Sequence, residues 1–197
     1  MNLPNKLTIL RIILTFIFMV FLFSQGLAAK VMGLIIFMIA ALTDLLDGMI
    51  AKSLNQITNF GKIMDPLADK ILVLAAFLSF IQLQLIPAWM VIVIIARESI
   101  ITSLRFFALS RGIVIAASKG GKHKTISQMV AIFIILLSLI IKEAGRKYFL
   151  WQPVYDETIG NVVYVSMFLT VVLTLISGAS YVWNNRHLFL GLRHAEK

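Results

Sequence analysis

The chain has 197 residues, of which 60% are hydrophobic and 14% are charged, and its mean hydropathy is +0.95. Because a soluble domain carries about 25% charged residues, this composition excludes an ordinary soluble protein and indicates a single integral membrane domain. Cysteine is absent, so a disulfide framework and thiol chemistry are excluded. The net charge of +9 does not indicate nucleic-acid binding, because the basic residues stand at the ends of apolar segments.

The chain begins with a mixed segment and continues as a series of long apolar runs. Residues 1–11 combine apolar and basic side chains, which is typical of a short amphipathic segment at the membrane surface. Most of the following runs are about 18 to 23 residues long, which suits a hydrocarbon layer about 30 Å thick. We therefore predict an all-α integral membrane fold of six transmembrane helices, with spans at residues 12–29, 31–50, 66–85, 87–109, 126–141 and 162–183.

Two polar connectors interrupt this series, at residues 54–62 and 112–124. The third span is predicted to begin with Asp65 as its N-cap and Pro66 as its first helical residue. Thirteen of the basic residues that flank the spans fall on the side of the membrane that holds both connectors and both termini, and four fall on the other side. This bias predicts that both termini and the connectors face the cytoplasm.

Four of the nine acidic residues lie at positions 44–69, a stretch that we call the acidic window. Asp44 and Asp47 are three residues apart, and Asp65 and Asp69 are four apart, so each pair shares one face of a helix. Unpaired carboxylates in an apolar setting cost several kcal/mol each, so a cation is expected between them. Oxygen ligands suit hard divalent ions such as Mg²⁺ or Mn²⁺. Helix capping could explain Asp65 alone, but it does not explain four acids on two helix faces.

The acidic window resembles the signature of the CDP-alcohol phosphotransferase family, D-x2-D-G-x2-A-R-x8-G-x3-D-x3-D. Every spacing matches, and seven of the eight defined residues are present. The eighth position carries Lys52, where the family usually has Arg. Further blocks at residues 5–11, 64–70 and 121–125 resemble the members of the family that form phosphatidylglycerophosphate in bacteria.

The resemblance implies a phosphatidyltransferase with two divalent cations, Mg²⁺ or Mn²⁺, held by Asp44, Asp47, Asp65 and Asp69. It implies that Asp69 also acts as the general base. The implied substrates are CDP-diacylglycerol and sn-glycerol 3-phosphate, and the products are CMP and phosphatidylglycerophosphate, in phospholipid biosynthesis. The resemblance further implies a homodimer in the bacterial inner membrane.

The resemblance also implies a site for the CDP-lipid, formed by Asn5, Thr8, Arg11, Gly48, Ala51, Lys52 and Gly61. For Asn5, Thr8 and Arg11 the alternative is plain anchoring at the membrane surface. For Gly48 and Ala51 it is ordinary helix packing, and for Gly61 it is a role as a loop breaker. A lysine neutralises a phosphate as a point charge but lacks the planar fork of arginine, so we expect Lys52 to bind CDP less tightly.

Basic residues in and after the fourth span are candidates for binding the acceptor alcohol. Arg97 lies within the span, where it pairs with Glu98 or with an aspartate of the motif, or binds the phosphate of the acceptor. Arg105, Lys122 and Lys124 lie at the cytoplasmic end. The cytoplasmic bias of basic residues accounts for any one of them, whereas together they predict an anion pocket for glycerol phosphate.

Two other functions compete with this interpretation. The acceptor could be another alcohol, such as inositol phosphate, serine or phosphatidylglycerol, although an uncharged acceptor would leave the basic residues without a phosphate to bind. A divalent-cation transporter would also place acids in its spans. It would need acids near the midplane and an exit path, and the outer half of the chain offers no matching polar site.

Overall fold

The structure is a computed structural model that describes the backbone of residues 3–54, 59–110, 120–149 and 151–186, and the side chains of residues 9–43, 70–110, 124–149 and 151–186. The described part is all-helical, which confirms the predicted α class. Its helices are α1 (Leu3–Phe23), α2 (Leu27–Leu54), α3 (Asn59–Gln82), α4 (Ala88–Ser110), α5 (Gly120–Tyr148) and α6 (Pro153–Asn184).

The turn between α1 and α2 comes earlier than the apolar pattern predicts. The prediction that the first span runs to Ala29 was wrong, because α1 ends at Phe23 and α2 begins at Leu27. Gly26 has a φ of +94°, a left-handed conformation that glycine adopts without strain. The apolar residues on both sides of this turn hide it in the sequence. At the other end, α1 begins at Leu3, so the amphipathic segment continues directly into the apolar helix.

Lys30 stabilises the turn between α1 and α2 by donating hydrogen bonds to carbonyl groups at the end of α1. Its Nζ atom donates hydrogen bonds to the carbonyl oxygens of Leu22 and Ser24, at 2.6 and 2.8 Å. These carbonyls belong to the last turn of α1 or follow it, where helices leave unsatisfied acceptors and favour a positive charge. The lysine therefore acts as a cap as well as a basic residue that flanks a span.

The prediction that Asp65 caps the third helix was wrong. α3 begins at Asn59, and α2 extends to Leu54, so the predicted connector 54–62 overlaps both helices; residues 55–58 lie outside the described residues. Asn59 is itself of a type that favours helix starts. The backbone is helical up to Pro66 despite the steric bias against helix at the residue before a proline. Asp65 therefore lies inside the helix.

The last two helices are longer than the apolar runs that predict them. The segments Lys124–Tyr148 and Pro153–Asn184 are each long and apolar enough to cross a membrane. At a rise of 1.5 Å per residue, α6 is about 48 Å long and exceeds a hydrocarbon layer of about 30 Å. The predicted spans 126–141 and 162–183 therefore mark the apolar middle of these helices. Their polar flanks extend them at the ends.

Exposed apolar side chains cover the surface of all six helices. Examples are Phe16, Met32, Leu78, Ile92 and Val165, which are all more than one-third exposed. Water does not tolerate apolar surface on this scale, whereas the hydrocarbon of a bilayer does. The two long apolar helices and this surface indicate a membrane protein.

The chain divides into two compact units. The first unit comprises Met1–Leu85 and Ile132–Val163, and the second comprises Ile86–Ala131 and Tyr164–Lys197. In the first unit, α1 packs against both α2 and α3 around a core that includes Phe18, Phe37 and Phe77. The rings of Phe18 and Phe37 are 5.6 Å apart.

The second unit is built from α4, the first part of α5 and most of α6. Its buried apolar residues include Met90, Ile94 and Ala131. It also buries polar and charged side chains, which include Arg97, Gln128, Thr170, Thr174 and Ser177.

Candidate active site

The aspartates of the acidic window lie inside two helices that follow each other in the chain. Asp47 and Asp44 stand seven and ten residues before the end of α2. Asp65 and Asp69 stand six and ten residues after the start of α3. At a rise of 1.5 Å per residue, one aspartate of each pair lies about 10 Å, and the other about 15 Å, from that end of its helix. The helical backbone keeps each pair on one face of its helix, and the side chains themselves lie outside the described residues.

The chemistry of these donors fits hard divalent cations. Four carboxylates offer oxygen ligands alone, which Mg²⁺ and Mn²⁺ prefer. Their placement within helices of a largely apolar chain requires compensating positive charge. Among the side chains that the structure describes, no group of three or more His, Cys, Asp or Glu residues could hold a metal ion. The acidic window is not among those side chains and remains the predicted metal site.

The residues predicted to bind the CDP-lipid lie on the first three helices. Asn5 and Thr8 belong to α1, Gly61 belongs to α3, and Gly48, Ala51 and Lys52 continue α2 beyond its two aspartates. The side chains of these six residues lie outside the described part of the chain.

Arg11 is the described member of the predicted CDP-lipid site. It lies on α1, and only 1% of it is exposed. Its backbone carbonyl accepts a hydrogen bond from Thr15 Oγ1 at 2.8 Å. Anchoring at the membrane surface would leave the guanidinium group exposed, whereas a buried guanidinium needs an anionic group beside it. The burial of Arg11 therefore does not match plain surface anchoring, and its place in the CDP-lipid site stays a prediction.

In the second unit, a carboxylate holds two of the predicted phosphate-binding cations together. Glu98 Oε1 accepts a hydrogen bond from Arg97 Nη1 at 2.9 Å and a second one from Lys124 Nζ. The internal pair of Arg97 with Glu98, one of the sequence alternatives, is thus present. Glu98 neutralises only one of the two cations, so the group keeps an excess of positive charge.

Arg97 is 7% exposed and is held at three places. Besides the bond to Glu98, its Nη2 atom donates to Ser177 Oγ at 3.0 Å. Its aliphatic stem lies against Gly178, which follows Ser177 on α6. These two hydrogen bonds use two of the five N–H donors of the guanidinium group. The side chain is therefore fixed but not saturated.

Arg105 lies two helical turns beyond Arg97 on α4, and it is partly exposed. Its Nε atom donates to the hydroxyl of Tyr181 at 3.3 Å, and its guanidinium carbon lies 5.3 Å from the centre of the tyrosine ring. Both arginines lie within Coulombic range of Lys124. We call Arg97, Glu98, Arg105 and Lys124 the basic cluster. Lys122 lies in the first turn of α5, and its side chain lies outside the described residues.

Ser177 and Tyr181 of α6 contact the basic cluster and were not predicted from the sequence. Thr170, Thr174, Ser177 and Tyr181 are buried and recur at intervals of four, three and four residues, and we call them the polar face of α6. This spacing places them along one side of a helix. A polar stripe in an otherwise apolar membrane helix indicates contacts with other helices or with a site, and this signal was present in the sequence.

Comparison with known proteins places the chain in a family. A sequence model described as CDP-alcohol phosphatidyltransferase matches residues 1–183. The chain therefore belongs to the CDP-alcohol phosphatidyltransferase family, and the resemblance seen in the acidic window is confirmed.

Individual relatives carry more specific names. A Bacillus subtilis protein named CDP-diacylglycerol–glycerol-3-phosphate 3-phosphatidyltransferase is 42% identical over 181 residues, which cover 84% of this chain and 94% of the relative. A Mycobacterium tuberculosis protein named probable phosphatidylglycerophosphate synthase is 37% identical over 184 residues, which cover 92% of this chain and 80% of the relative. A Rickettsia typhi protein with the same name as the Bacillus relative is 34% identical over 181 residues, which cover 91% of this chain and 94% of the relative.

Proposed function

We propose that this protein transfers the phosphatidyl group of CDP-diacylglycerol to sn-glycerol 3-phosphate and releases CMP. The observation that carries the proposal is the acidic signature on α2 and α3, complete except for Lys52, in a chain that is 42% identical to a relative named for this reaction. The product, phosphatidylglycerophosphate, would enter phospholipid biosynthesis.

The first three helices bind the CDP-lipid in this proposal. Asp44, Asp47, Asp65 and Asp69 would hold two Mg²⁺ or Mn²⁺ ions. Such ions, when bound, neutralise the diphosphate and stabilise the charge that develops during an in-line displacement. The small side chains at Gly48, Ala51 and Gly61 leave room for the nucleotide beside the acids. Lys52, Arg11, Asn5 and Thr8 complete the proposed binding site.

The basic cluster binds the phosphate of the acceptor. Three cations and one carboxylate leave an excess of two positive charges, which matches a phosphate monoester carrying about two negative charges. An acceptor without net charge, such as serine, would leave this excess uncompensated. Lys122, in the first turn of α5, is a further candidate for this site.

Asp69 acts as the general base in the proposed reaction. Its carboxylate takes the proton of the primary hydroxyl of glycerol 3-phosphate. The oxygen forms a bond to the phosphorus nearest the diacylglycerol, and the bond from that phosphorus to the oxygen shared with CMP breaks. CMP leaves with that oxygen, and the phosphatidyl group remains on the acceptor.

The proposed location is the inner membrane of a bacterium. All six helices would cross the bilayer, and both termini and the acidic window would face the cytoplasm, as the distribution of basic residues predicts. The acyl chains of the CDP-lipid would stay in the bilayer while its headgroup is bound. We also propose a homodimer, as the family resemblance implies.

Release of CMP by the purified protein tests the proposed function. The protein is incubated with CDP-diacylglycerol and, in parallel, with glycerol 3-phosphate, inositol phosphate, serine or phosphatidylglycerol as the acceptor. We expect rapid release with glycerol 3-phosphate and release near background with the other alcohols. A clear preference for serine or phosphatidylglycerol would contradict the proposed acceptor. No release with any alcohol would contradict the proposed reaction.

A further inference from the structure

The polar face of α6 meets the two arginines of the basic cluster. Ser177 contacts Arg97 and Tyr181 contacts Arg105, across 80 and 76 residues of chain. Burying such polar groups in an apolar bundle is unfavourable unless each finds a partner. Pairing with a charged side chain therefore explains why Ser177 and Tyr181 interrupt an apolar helix.

Gly178 lets α6 approach Arg97 closely. A Cβ atom at this position would lie 3.1 Å from Arg97 Cγ and 3.2 Å from Arg97 Nε, closer than ordinary contact. That Nε atom is buried and has no hydrogen-bond partner among the described residues. Leaving a buried donor unsatisfied lowers stability. The guanidinium group is therefore held in a position that stability alone does not favour, which indicates a positioning role.

Tyr181 holds Arg105 in two ways at once. The tyrosine is 2% exposed, and its ring and hydroxyl both contact the guanidinium group, as a cation–π contact and as a hydrogen-bond acceptor. Arg105 itself is partly exposed and would otherwise sample many rotamers. A rigid, buried aromatic ring restricts that freedom before any ligand binds.

We propose that Ser177, Gly178 and Tyr181 are positioning residues that orient Arg97 and Arg105 toward the phosphate of the acceptor alcohol. This inference rests on the proposed function. The two arginines are eight residues apart on α4, about 12 Å along the helix axis, so one phosphate can contact both only if the side chains lean toward each other. The contacts with α6 fix the side chains in advance and thereby reduce the entropy lost on binding.

Conservative variants of α6 test this inference through the kinetics of both substrates. Tyr181→Phe removes the hydroxyl and keeps the ring, and Ser177→Ala removes one hydrogen-bond acceptor. We expect each variant to raise the KM for glycerol 3-phosphate about threefold to tenfold, as the loss of one ordinary hydrogen bond would do. We expect kcat and the KM for CDP-diacylglycerol to change less than about twofold, and Ser177→Thr to retain the wild-type KM because it keeps a hydroxyl.

The same helix offers matched controls. Tyr164→Phe and Ser180→Ala make the same chemical changes at exposed positions of α6, and both variants should behave like the wild-type protein. Gly178→Ala should raise the KM for glycerol 3-phosphate about tenfold or more, because it displaces Arg97. If that variant does not fold, Tyr181→Phe and Ser177→Ala decide the question.

The outcomes separate this inference from the proposed function. If the wild-type protein transfers phosphatidyl groups but Tyr181→Phe and Ser177→Ala match their controls, the inference is wrong and the function stands. An equal rise in the KM of both substrates, or a fall in thermal stability with both KM values unchanged, would also contradict it. If the wild-type protein transfers nothing to glycerol 3-phosphate, the proposed function itself fails.

Discussion

The acidic window and the basic cluster differ in how their charge is compensated. The acidic window places four like charges on two helices within 26 residues, and its chemistry needs cations that the protein must bind. In the basic cluster, Glu98 compensates part of the positive charge, and Ser177 and Tyr181 hold the arginines. The first region should therefore depend on added metal, whereas the second should be preorganised by the fold.

Removal of divalent cations should have the largest effect. With a chelator in excess, we expect phosphatidyl transfer to fall to background, and addition of Mg²⁺ or Mn²⁺ should restore it. A cation that binds only the folded protein raises its thermal unfolding temperature, so we expect Mg²⁺ or Mn²⁺ to raise it here. A temperature that does not respond to either ion, with activity intact in chelator, would contradict a metal site in the acidic window.

Asp69→Asn should have the next largest effect. The amide cannot take the proton of the acceptor, so we expect kcat to fall about 10²-fold to 10⁴-fold, the usual contribution of a general base. Glu157→Gln, a change from acid to amide at an exposed position of α6, is the control and should leave kcat unchanged. Near-normal turnover in Asp69→Asn would remove this residue as the base.

Arg97→Ala should act on the acceptor alone. It removes a charged hydrogen-bond donor and leaves Glu98 paired with only Lys124, so we expect the KM for glycerol 3-phosphate to rise about tenfold to 100-fold. The KM for CDP-diacylglycerol should stay within about twofold, which kinetics with each substrate varied in turn will show. Arg186→Ala, at the end of α6 where the guanidinium lies over Trp183, is the matched control.

Lys52→Arg should have the smallest effect. It restores the residue that the family signature usually carries, and a planar fork can contact a phosphate through two hydrogen bonds. We expect the KM for CDP-diacylglycerol to stay the same or to fall about twofold to fivefold, with the KM for glycerol 3-phosphate unchanged. A large loss of affinity for the CDP-lipid would show that Lys52 occupies a differently built site.

The two regions also differ in how far the sequence reveals them. The acidic window could be found because its residues lie close together in the chain, at spacings that only a helix places on one face. The all-helical class could also be predicted, because the long apolar runs are a local pattern in the chain. The turn at Gly26 and the start of α3 at Asn59 were misplaced because apolar residues and a proline gave misleading local signals.

The basic cluster is assembled from residues on three helices, and the sequence offers no local rule for such an assembly. Arg97 and Lys124 were predicted from their charge, and the pair of Arg97 with Glu98 was one sequence alternative. The bond of Glu98 to Lys124 and the contacts with Ser177 and Tyr181 depend on tertiary packing. Gly178 gave no signal, because its role is to be small beside one particular arginine.

The most direct test of the whole account is the identity of the lipid that the purified protein makes. With CDP-diacylglycerol, glycerol 3-phosphate and Mg²⁺, mass spectrometry should detect phosphatidylglycerophosphate, formed in equal amount to the CMP released. CMP without this lipid, or a lipid that carries a different headgroup when several alcohols compete, would contradict the account.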